Sequence, residues 1–421
     1  MIPINYFSKL PNDYEWIEYN MSQMDDCDTV STFLCKYYMD SKKINTRTES
    51  SSNFLHWLFN IPNTTNICIG VRTSTKKTLV GCIVGSTCKL KINKNEINAV
   101  EIKYLCVHNK TRKKGLATRL IDQLKDIYQK LGFDKGIYCT KHKGENNTKS
   151  FYTAKYYHRP LNVDNLVKCG LLYAHNMSKT LPDFATGKTT NIQNNITIDD
   201  LSYTYMLPDV PYNSKDRKDG ERYDMCGFIK INDNEDEDDN ENEYKDEDKN
   251  EDENDYGYDF REMNENDIAD AYETFVSYIS KYNCYPVYTT EQFKYIFFNN
   301  DHVTTYVLLE DDEIVDLVSY YTIPTKIISK TGTTNKTIHM INRGYLYYYT
   351  SNEETSYRLI KDIMVVAKNN GVDDFFMLNI MENNDNLIDF NCVEIKHKIN
   401  YCLHNVKIHN MQGVQIGKII M

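Results

Sequence analysis

The most constraining feature of the chain is the segment 100–131, VEIKYLCVHNKTRKKGLATRLIDQLKDIYQKL, in which a period of two gives way to a helical period. Over 100–107, residues 100, 102, 104 and 106 alternate with residues of a second face, which predicts a strand that ends near His108. Apolar residues then recur at spacings of three and four from Leu116 to Leu131, and Gly132 follows as a helix stop. The segment therefore predicts a strand, a loop and an amphipathic helix in direct succession.

The loop between this strand and this helix, residues 109–115, carries four cationic side chains. Free backbone N–H groups at the start of a helix, together with these cations, favour a phosphorylated ligand. We therefore interpret the loop as a candidate pyrophosphate cradle. The plain alternative is a basic loop that only faces solvent. The same order of strand, loop and helix is typical of acyl-CoA-binding units of the acetyltransferase type, and this favours the cradle.

The negative charge of the chain is concentrated in one segment. The net charge is −11, and residues 233–255 carry fifteen acids against Lys245 and Lys249, so that the rest of the chain is close to neutral at +2. Such a segment, with few apolar residues and dense like charge, is expected to be disordered. It separates the chain into two parts.

Several classes of protein are disfavoured by the composition. No run approaches the roughly 18 apolar residues of a membrane span, and the start MIPINYFSKLPNDYEW lacks the pattern of a signal peptide. The twelve cysteines include no Cys-x-x-Cys pair, so that neither a disulfide framework nor a zinc site is indicated. We expect a cytoplasmic, monomeric protein without a transmembrane segment, a metal or a nucleic-acid partner.

The two parts of the chain repeat one plan of elements. The first part reads as a helix over 24–38, a polar loop over 39–52, a short helix, strands over 67–71, 78–86, 88–92 and 100–107, the long helix, and a strand over 136–140. Residues 201–207 read as a further strand. The second part reads as helices over 267–282 and 291–298, a hairpin over 306–322, a strand over 344–350 and a helix over 354–370. Short strands follow at 375–380, 401–404 and 417–421.

The repetition predicts an α/β fold of two tandem acetyltransferase-like (GNAT-type) mixed-sheet domains with pseudo-two-fold symmetry. We place the N-terminal acyl-CoA-binding domain at 1–207, a linker with the acidic insert at 208–259, and the C-terminal domain at 260–421.

Short motifs, in the right order along both parts, make the chain resemble the glycylpeptide N-myristoyltransferases. The motifs are EIKYLCVH at 101–108, the loop 112–117, YYHRPLN at 156–162, DLVSYYTIP at 316–324, MEN at 381–383 and GKIIM at 417–421. The resemblance runs from about Pro11 to the last residue, apart from the acidic insert. It implies transfer of a myristoyl group from myristoyl-CoA, a co-substrate, to the N-terminal glycine amine of a peptide or protein, with no further cofactor.

The resemblance also assigns roles by position. The backbone N–H groups of Tyr104 and Leu105 would form the oxyanion hole for the thioester carbonyl, a contribution that typically amounts to about two to three decades in rate. The residues expected to bind acyl-CoA are Cys106, Val107, Arg112, Lys113, Lys114, Gly115, Leu116 and Ala117. The resemblance implies that the C-terminal domain forms much of a peptide groove. The residues expected to bind the peptide are Tyr38, Thr140, Tyr156, His158, Ser319 and Tyr345.

The general base implied by the resemblance is the terminal carboxylate, here that of Met421. The reference pKa of an α-amine, near 8, exceeds that of an α-carboxyl, near 3.5, so that an exposed carboxylate would be a poor base. Burial of the terminus would raise its pKa and hold it within reach of the amine. Val414, Ile416, Ile419 and Ile420 predict such a buried end, whereas most chain ends are frayed and exposed.

Several positions depart from the family pattern. Lys103 and Cys139 stand where the family typically has Asn and Thr, which help to place the glycine amine. Ser41, Lys42 and Lys43 replace an acidic run, and Lys396 replaces an acidic residue of the groove. Peptide preference is therefore expected to shift away from lysine-rich sequences.

Two alternatives to myristoyl transfer remain open on the sequence. The first is an acyltransferase of the same fold that uses another acyl chain or another amine acceptor, which the substitutions at 103 and 139 allow. The second is a non-catalytic protein that binds acyl-CoA or peptide. Turnover across acyl chain lengths and acceptors would distinguish the three.

Overall fold

The first part of the chain contains the elements predicted up to residue 140 in the predicted order, together with further strands and helices that were not predicted. The computed structural model describes residues 6–38, 46–141, 150–172, 198–211, 213, 258–331, 335–351, 356–383, 387 and 390–420. The elements of the first part are β1 (Tyr14–Tyr19), α1 (Met24–Tyr37), β2 (Thr46–Thr48), α2 (Ser52–Leu58), β3 (Asn66–Thr73), β4 (Leu79–Ile92), β5 (Asn95–Val107), α3 (Leu116–Lys130), β6 (Gly136–Thr140), β7 (Ser150–Pro160), α4 (Val163–Lys168) and α5 (Ile198–Thr204).

The second part has the same plan. Its elements are β8 (Tyr258–Glu262), α6 (Ile268–Ile279), β9 (Cys284–Pro286), α7 (Thr290–Phe297), β10 (Val303–Glu310), β11 (Glu313–Thr331), β12 (Asn335–Tyr349), α8 (Ser356–Asn369), β13 (Asp374–Leu378) and β14 (Val393–His404). Within the described ranges, no helix is long and apolar enough to cross a membrane.

One mixed sheet joins the two parts. Read inward from its two edges, the strands of the two halves follow the same pattern of chain order. The order is β1-β3-β4-β5-β6-β14-β7-β13-β12-β11-β10-β8, while β2 pairs with β11 and β9 with β4. Apart from the two central strands, each half contributes five strands to this order, and in both halves only the last pair, β5 with β6 and β12 with β13, is parallel. The predicted tandem acetyltransferase-like fold with pseudo-two-fold symmetry is therefore confirmed.

The two halves exchange a strand at the centre of the sheet. β14, from the end of the chain, pairs with β6 of the first half, and β7 pairs with β13 of the second half. β7 and β14 also pair with each other. Because each half completes the other, residues of both parts meet in the middle of the molecule.

Helix α3 covers one face of the first half through its predicted apolar stripe. Leu120, Leu124 and Ile127 are at most 2% exposed and pack against Ile83 and Val100. Full burial of one such side chain contributes about 1.5–3 kcal/mol. The helices α1, α2, α6 and α7 contribute to the larger core, which spans both halves.

The structure overturns several local predictions. Residues 201–207 do not form a strand, because Leu201 and Tyr205, four residues apart, are both buried in a cluster with Leu166 of α4, which requires the helical period of α5. The polar loop 39–52 contains the short strand β2. The aromatic segment after residue 150, to which the sequence pattern assigns no element, forms strand β7 near the centre of the sheet.

The C-terminal segment is also different from its prediction as a strand. Residues 417–420 have no regular structure. Its N–H groups do not form a ladder, since Gly417 donates to the carbonyl of Cys284 at 2.9 Å and Ile419 donates to the hydroxyl of Tyr348 at 3.1 Å. Met421 lies outside the described residues.

Candidate active site

The candidate active site begins where the parallel strands β5 and β6 part. The two strands pair only through residues 100–102 and 136–138. Beyond this point β5 continues against β4 to Val107, and β6 continues against β14 to Thr140. A gap therefore opens between residues 103–107 on one strand and Cys139 and Thr140 on the other.

Backbone N–H donors of β5 point into this gap. His108 donates to the carbonyl of Val80 on β4 at 2.9 Å. Because N–H groups point alternately to the two edges of an antiparallel strand, those of Leu105 and Val107 point away from β4. A bulge between Ile102 and Tyr104 interrupts the pairing with β4 immediately before these residues. The strand thus presents donors at the gap, where a carbonyl oxygen that gains negative charge can accept them.

The side chain of Tyr104 fixes this strand against the helices α1 and α2. Its hydroxyl lies 3.3 Å from the Ser50 hydroxyl, and its ring meets that of Tyr38 edge-on at 5.2 Å. Burial raises the pKa of Tyr104 to about 12, so the phenol is neutral. Tyr104 and Cys106 are buried, whereas Leu105 and Val107 pack toward α3.

The predicted cradle adjoins the gap. Gly115 begins α3 with φ +77°, a left-handed conformation that favours glycine. The first helical bond runs from Arg119 to the carbonyl of Gly115, which leaves the N–H groups of Leu116, Ala117 and Thr118 outside the helical ladder. Such N–H groups are suited to an anionic phosphate.

The basic residues of the loop differ in what they contact. The guanidinium of Arg112 donates to the carbonyl of Tyr37 at 2.6 Å and to that of Val107 at 3.0 Å, so that it ties the end of α1 to the end of β5. Lys113 and Lys114 are exposed. Lys113 and Lys114 are therefore better placed than Arg112 to approach a ligand in solution.

Three of the residues expected to line a peptide groove lie together where β7 meets the strands of the second half. The Tyr345 ring stacks on Tyr321 at 5.0 Å and on Phe376 at 5.1 Å, and meets Tyr156 edge-on at 6.4 Å. His158 stacks on Phe376, and its Nδ1 is 2.8 Å from the carboxylate of Asp374. Tyr156, His158 and Tyr345 thus form one aromatic surface.

Ser319 does not share this surface. It is 0% exposed, its hydroxyl donates to the carbonyl of Tyr348 at 2.9 Å, and it accepts from the Tyr348 N–H at 3.1 Å. Because both contacts hold the bulge between β11 and β12, the placement does not support the predicted role of Ser319 in a groove. The sequence around Ser319, a strand rich in tyrosines, does not indicate that its side chain is buried.

Lys103, one of the departures from the family pattern, belongs to a buried ionic cluster that the sequence did not predict. Glu101 contacts Lys103 at 3.1 Å and Lys418 at 2.8 Å, and the three side chains are at most 8% exposed. We call these three residues the buried ionic cluster. In the sequence, a lysine within the otherwise apolar segment GKII is the one sign that Lys418 has a buried ionic partner.

The buried ionic cluster sets the protonation of its surroundings. Burial alone would raise the pKa of Glu101, but Lys103 and Lys418 outweigh it and hold the pKa at about 2. Burial acts to lower the pKa of Lys418, but Glu101 raises it well above its ordinary value. The pKa of the Cys139 thiol is raised by burial and then by Glu101, so that Cys139 is neutral.

The C-terminal segment reaches this cluster between the two halves. Ile416, Ile419 and Ile420 are buried, as predicted, whereas Val414 is 44% exposed and the prediction for it is wrong. The segment 41–43, the side chain of Lys396 and Met421 lie outside the described part of the chain. The last described residues thus lie beside the strands that part.

A cleft, partly open to solvent, lies between the two halves beside the cluster. Its walls come from β4, β5 and α2 of the first half and from α7, β12 and the C-terminal segment of the second. Glu101, Lys103 and Lys418 line it together with Ser86 and Tyr347.

Comparison with known proteins gives one consistent result. Residues 5–144 match the family model of the myristoyl-CoA:protein N-myristoyltransferase N-terminal domain, and residues 225–419 match that of the C-terminal domain. The chain is 25% identical to glycylpeptide N-tetradecanoyltransferase of Plasmodium falciparum (isolate 3D7), over 98% of this chain and 84% of the relative. It is 22% identical to glycylpeptide N-tetradecanoyltransferase 1 of Arabidopsis thaliana, over 98% of this chain and 80% of the relative.

A solved structure supports the fold. A crystal structure of Saccharomyces cerevisiae N-myristoyltransferase with bound myristoyl-CoA superposes with a TM-score of 0.74 at 20% identity. The match covers 97% of this chain and 82% of that chain. At this identity the likeness establishes the shared architecture.

Proposed function

Because the chain belongs to the myristoyl-CoA:protein N-myristoyltransferase family, we propose that it transfers a myristoyl group from myristoyl-CoA to the N-terminal glycine amine of a peptide or protein. The observation that carries the proposal is the gap between β5 and β6, with N–H donors on one side and the phosphate-type loop at its mouth. The gap holds a thioester, and the loop at 112–117 holds the CoA phosphates.

In the proposed reaction the neutral glycine amine attacks the thioester carbonyl. The carbonyl oxygen gains negative charge, which the N–H group of Leu105 stabilises. In this proposal the bulge at Lys103 turns the N–H group of Tyr104 from β4 toward the same oxygen. The C–S bond then breaks as the new C–N bond is retained. The amine proton leaves, and the CoA thiolate is released and protonated.

The proton acceptor in this proposal is the terminal carboxylate of Met421. Glu101 is the nearest buried carboxylate on the strand, but a pKa of about 2 makes it a far weaker base than the reaction requires. In this proposal Glu101 is not the base, and its role is to pair with Lys103 and Lys418. A chain extended by one residue beyond Met421 is expected to lose turnover, and unchanged turnover would contradict the carboxylate mechanism.

The acceptor peptide is proposed to lie along the aromatic surface of Tyr156, His158 and Tyr345, with Tyr38 and Thr140 near its amino end. Neighbouring Tyr and Phe rings support an extended peptide by stacking and burial. Ser319 is not part of this proposal. Replacement of Tyr345 by Ala is expected to raise the KM for peptide by about tenfold and to leave the KM for myristoyl-CoA unchanged.

The buried ionic cluster favours a second candidate, transfer to an acceptor other than an ordinary N-terminal glycine. Lys103 places an ammonium group next to the donor strand, and a cation there disfavours an approaching ammonium. An acyltransferase with another acyl chain or amine would be recognised by turnover with that substrate and none with glycine peptides.

The test is release of CoA from myristoyl-CoA in the presence of octapeptides that begin with glycine. The control peptide has the same sequence with an acetylated terminus. Transfer predicts release only with the free amine, and a peptide that gains the mass of one myristoyl group. Tight binding of myristoyl-CoA without release would instead indicate a non-catalytic binding protein.

The organisation of the chain is part of the same proposal. We propose an acyl-CoA domain at 1–207, a linker at 208–259 and a C-terminal domain at 260–421. A cytoplasmic location and a monomeric state stay predictions, to be checked by fluorescence microscopy of the tagged protein and by sedimentation equilibrium.

A further inference from the structure

The buried ionic cluster carries a net positive charge with too few acceptors. Two ammonium groups, Lys103 and Lys418, share the single carboxylate of Glu101. Each ammonium has three N–H donors, and in the described part of the chain the Glu101 carboxylate is the only hydrogen-bond or ion-pair partner of either group. A buried positive charge without a counter-charge is costly, so that this cluster favours a further anion.

The other described groups that face the cluster do not supply that anion, and the proposed function assigns the terminal carboxylate of Met421 to the acceptor amine. Cys88, Cys139 and Cys284 are neutral thiols, because burial raises the pKa of each. Tyr288 and Tyr347 are neutral phenols for the same reason. Lys89, at the edge of the cleft, is about half exposed and pairs with Glu96. Among the described residues, Glu101 is thus the one negative charge in contact with the two lysines.

An unpartnered hydroxyl lies at the same place. Ser86 is 3% exposed, lines the cleft, and its Oγ has no hydrogen-bond partner within the part of the chain that the structure describes. Ser86 pairs directly with Glu101 across β4 and β5, and such pairs project their side chains from the same face of a sheet. Spare donors of Lys103, Lys418 and Ser86 therefore border one space.

The rest of the cleft is apolar. Its walls include Trp57, Ile61, Val287, Ile296 and Ile419. The cleft is partly open to solvent, so that a small molecule can enter it. A ligand that fits has an anionic head at the cluster and an apolar body along these walls.

We propose that this cleft is a binding site for an amphipathic carboxylate, whose head is held by Lys103, Lys418 and Ser86 and whose hydrocarbon body contacts Trp57 and Ile296. The carboxylate brings the cluster to neutrality and accepts the spare N–H and O–H donors. The site is separate from the acyl-CoA cradle, and binding requires no transfer reaction.

The test is isothermal titration of the full-length protein with octanoate, with octan-1-ol and octylammonium as probes of equal chain length. Octanoate is expected to bind about tenfold or more tightly than octan-1-ol, because its head makes charge-assisted hydrogen bonds. Octylammonium is expected not to bind. Equal affinity for octanoate and octan-1-ol would overturn the proposal.

Variants locate the site. Lys103→Met and Lys418→Met each leave a neutral ion pair with Glu101, so the fold should persist, and each should weaken octanoate binding by about tenfold. Lys103→Arg keeps the charge and should retain binding. Lys89→Met, in the same cleft, is the matched control and should bind as the wild type does. If octanoate bound elsewhere, for example in an acyl pocket, its affinity would not change in Lys418→Met, and that result would also overturn the proposal.

Discussion

Replacement of Glu101 by Gln is the most informative perturbation of this protein, because it removes the only carboxylate described in the buried ionic cluster. Gln has nearly the same shape as Glu and leaves the strand geometry unchanged. Lys103 and Lys418 then remain buried, without their shared counter-charge. We expect a large loss of folding stability without a change in packing volume.

Two independent estimates give the size of this loss. The pKa of Glu101 falls from an ordinary value of 4.5 to about 2 in the fold. At about 1.4 kcal/mol for each pH unit, the difference corresponds to about 3 kcal/mol. Removal of one partner from a buried ion pair typically costs about 3–5 kcal/mol. We therefore expect Glu101→Gln to lower the free energy of unfolding by about 3 kcal/mol at neutral pH.

The same contribution depends on pH with a defined sign. Because the pKa of Glu101 is lower in the folded state than in the unfolded state, its contribution is fully present above the unfolded pKa of about 4.5. It is lost as the pH falls from about 4.5 toward the folded pKa of about 2. The difference in stability between the wild type and Glu101→Gln should shrink over this range.

The assay is equilibrium urea unfolding at neutral pH and at several pH values between 3 and 5. Glu96→Gln is the matched control, since Glu96 lies on the same strand and pairs with Lys89 at about half exposure. An exposed pair contributes at most about 1 kcal/mol. An equal, small effect of both substitutions at neutral pH would refute the account of the cluster.

Three further predictions concern the helix start, the C-terminal segment and the loop. Gly115→Ala adds a Cβ at φ +77° and should raise the KM for myristoyl-CoA about two- to tenfold in a kinetic assay. The control Gly132→Ala lies at φ +89° beyond the far end of α3, and it should cost similar stability but leave this KM unchanged. Gly417→Ala places a Cβ 2.5 Å from the ring of Tyr282 and should destabilise the protein by about 1–3 kcal/mol in urea unfolding. In the control Gly136→Ala the Cβ meets no atom closer than 3.5 Å, so that this variant should keep the stability of the wild type. Equal effects of the two substitutions would contradict the packing described. Lys114→Ala should raise the KM for myristoyl-CoA severalfold without a change in kcat, and an unchanged KM would remove Lys114 from the cradle.

The local pattern was enough to predict the parts of the fold that rest on short-range order. The strand and helix of residues 100–131 and the strand at 136–140 were confirmed, because their apolar periods coincide with the faces that are buried. The repeated order of helices and strands predicted the tandem fold, because each of these elements is also recognised by its apolar period. The periods did not show that β7 and β14 exchange between halves, since strand partners are set by contacts distant in sequence.

The candidate site was predicted unevenly. Tyr104, Leu105 and Gly115 lie at the gap and at the helix start, where the order of elements places them. Leu201 was wrongly assigned to a strand because a short apolar run fits either period. Ser319 is buried by a bulge that no sequence period reveals. The pairing of Lys418 with Glu101 links residues from opposite ends of the chain, and only the fold brings them together.

The central claim is tested most directly by incubating the purified protein with myristoyl-CoA and one octapeptide, either with a free N-terminal glycine or with that glycine acetylated. CoA release and peptide mass are measured together. The account predicts release, and a myristoylated peptide, only with the free glycine amine. Release of CoA to water at the same rate with both peptides, or no release with a panel of glycine peptides although myristoyl-CoA binds, would contradict it.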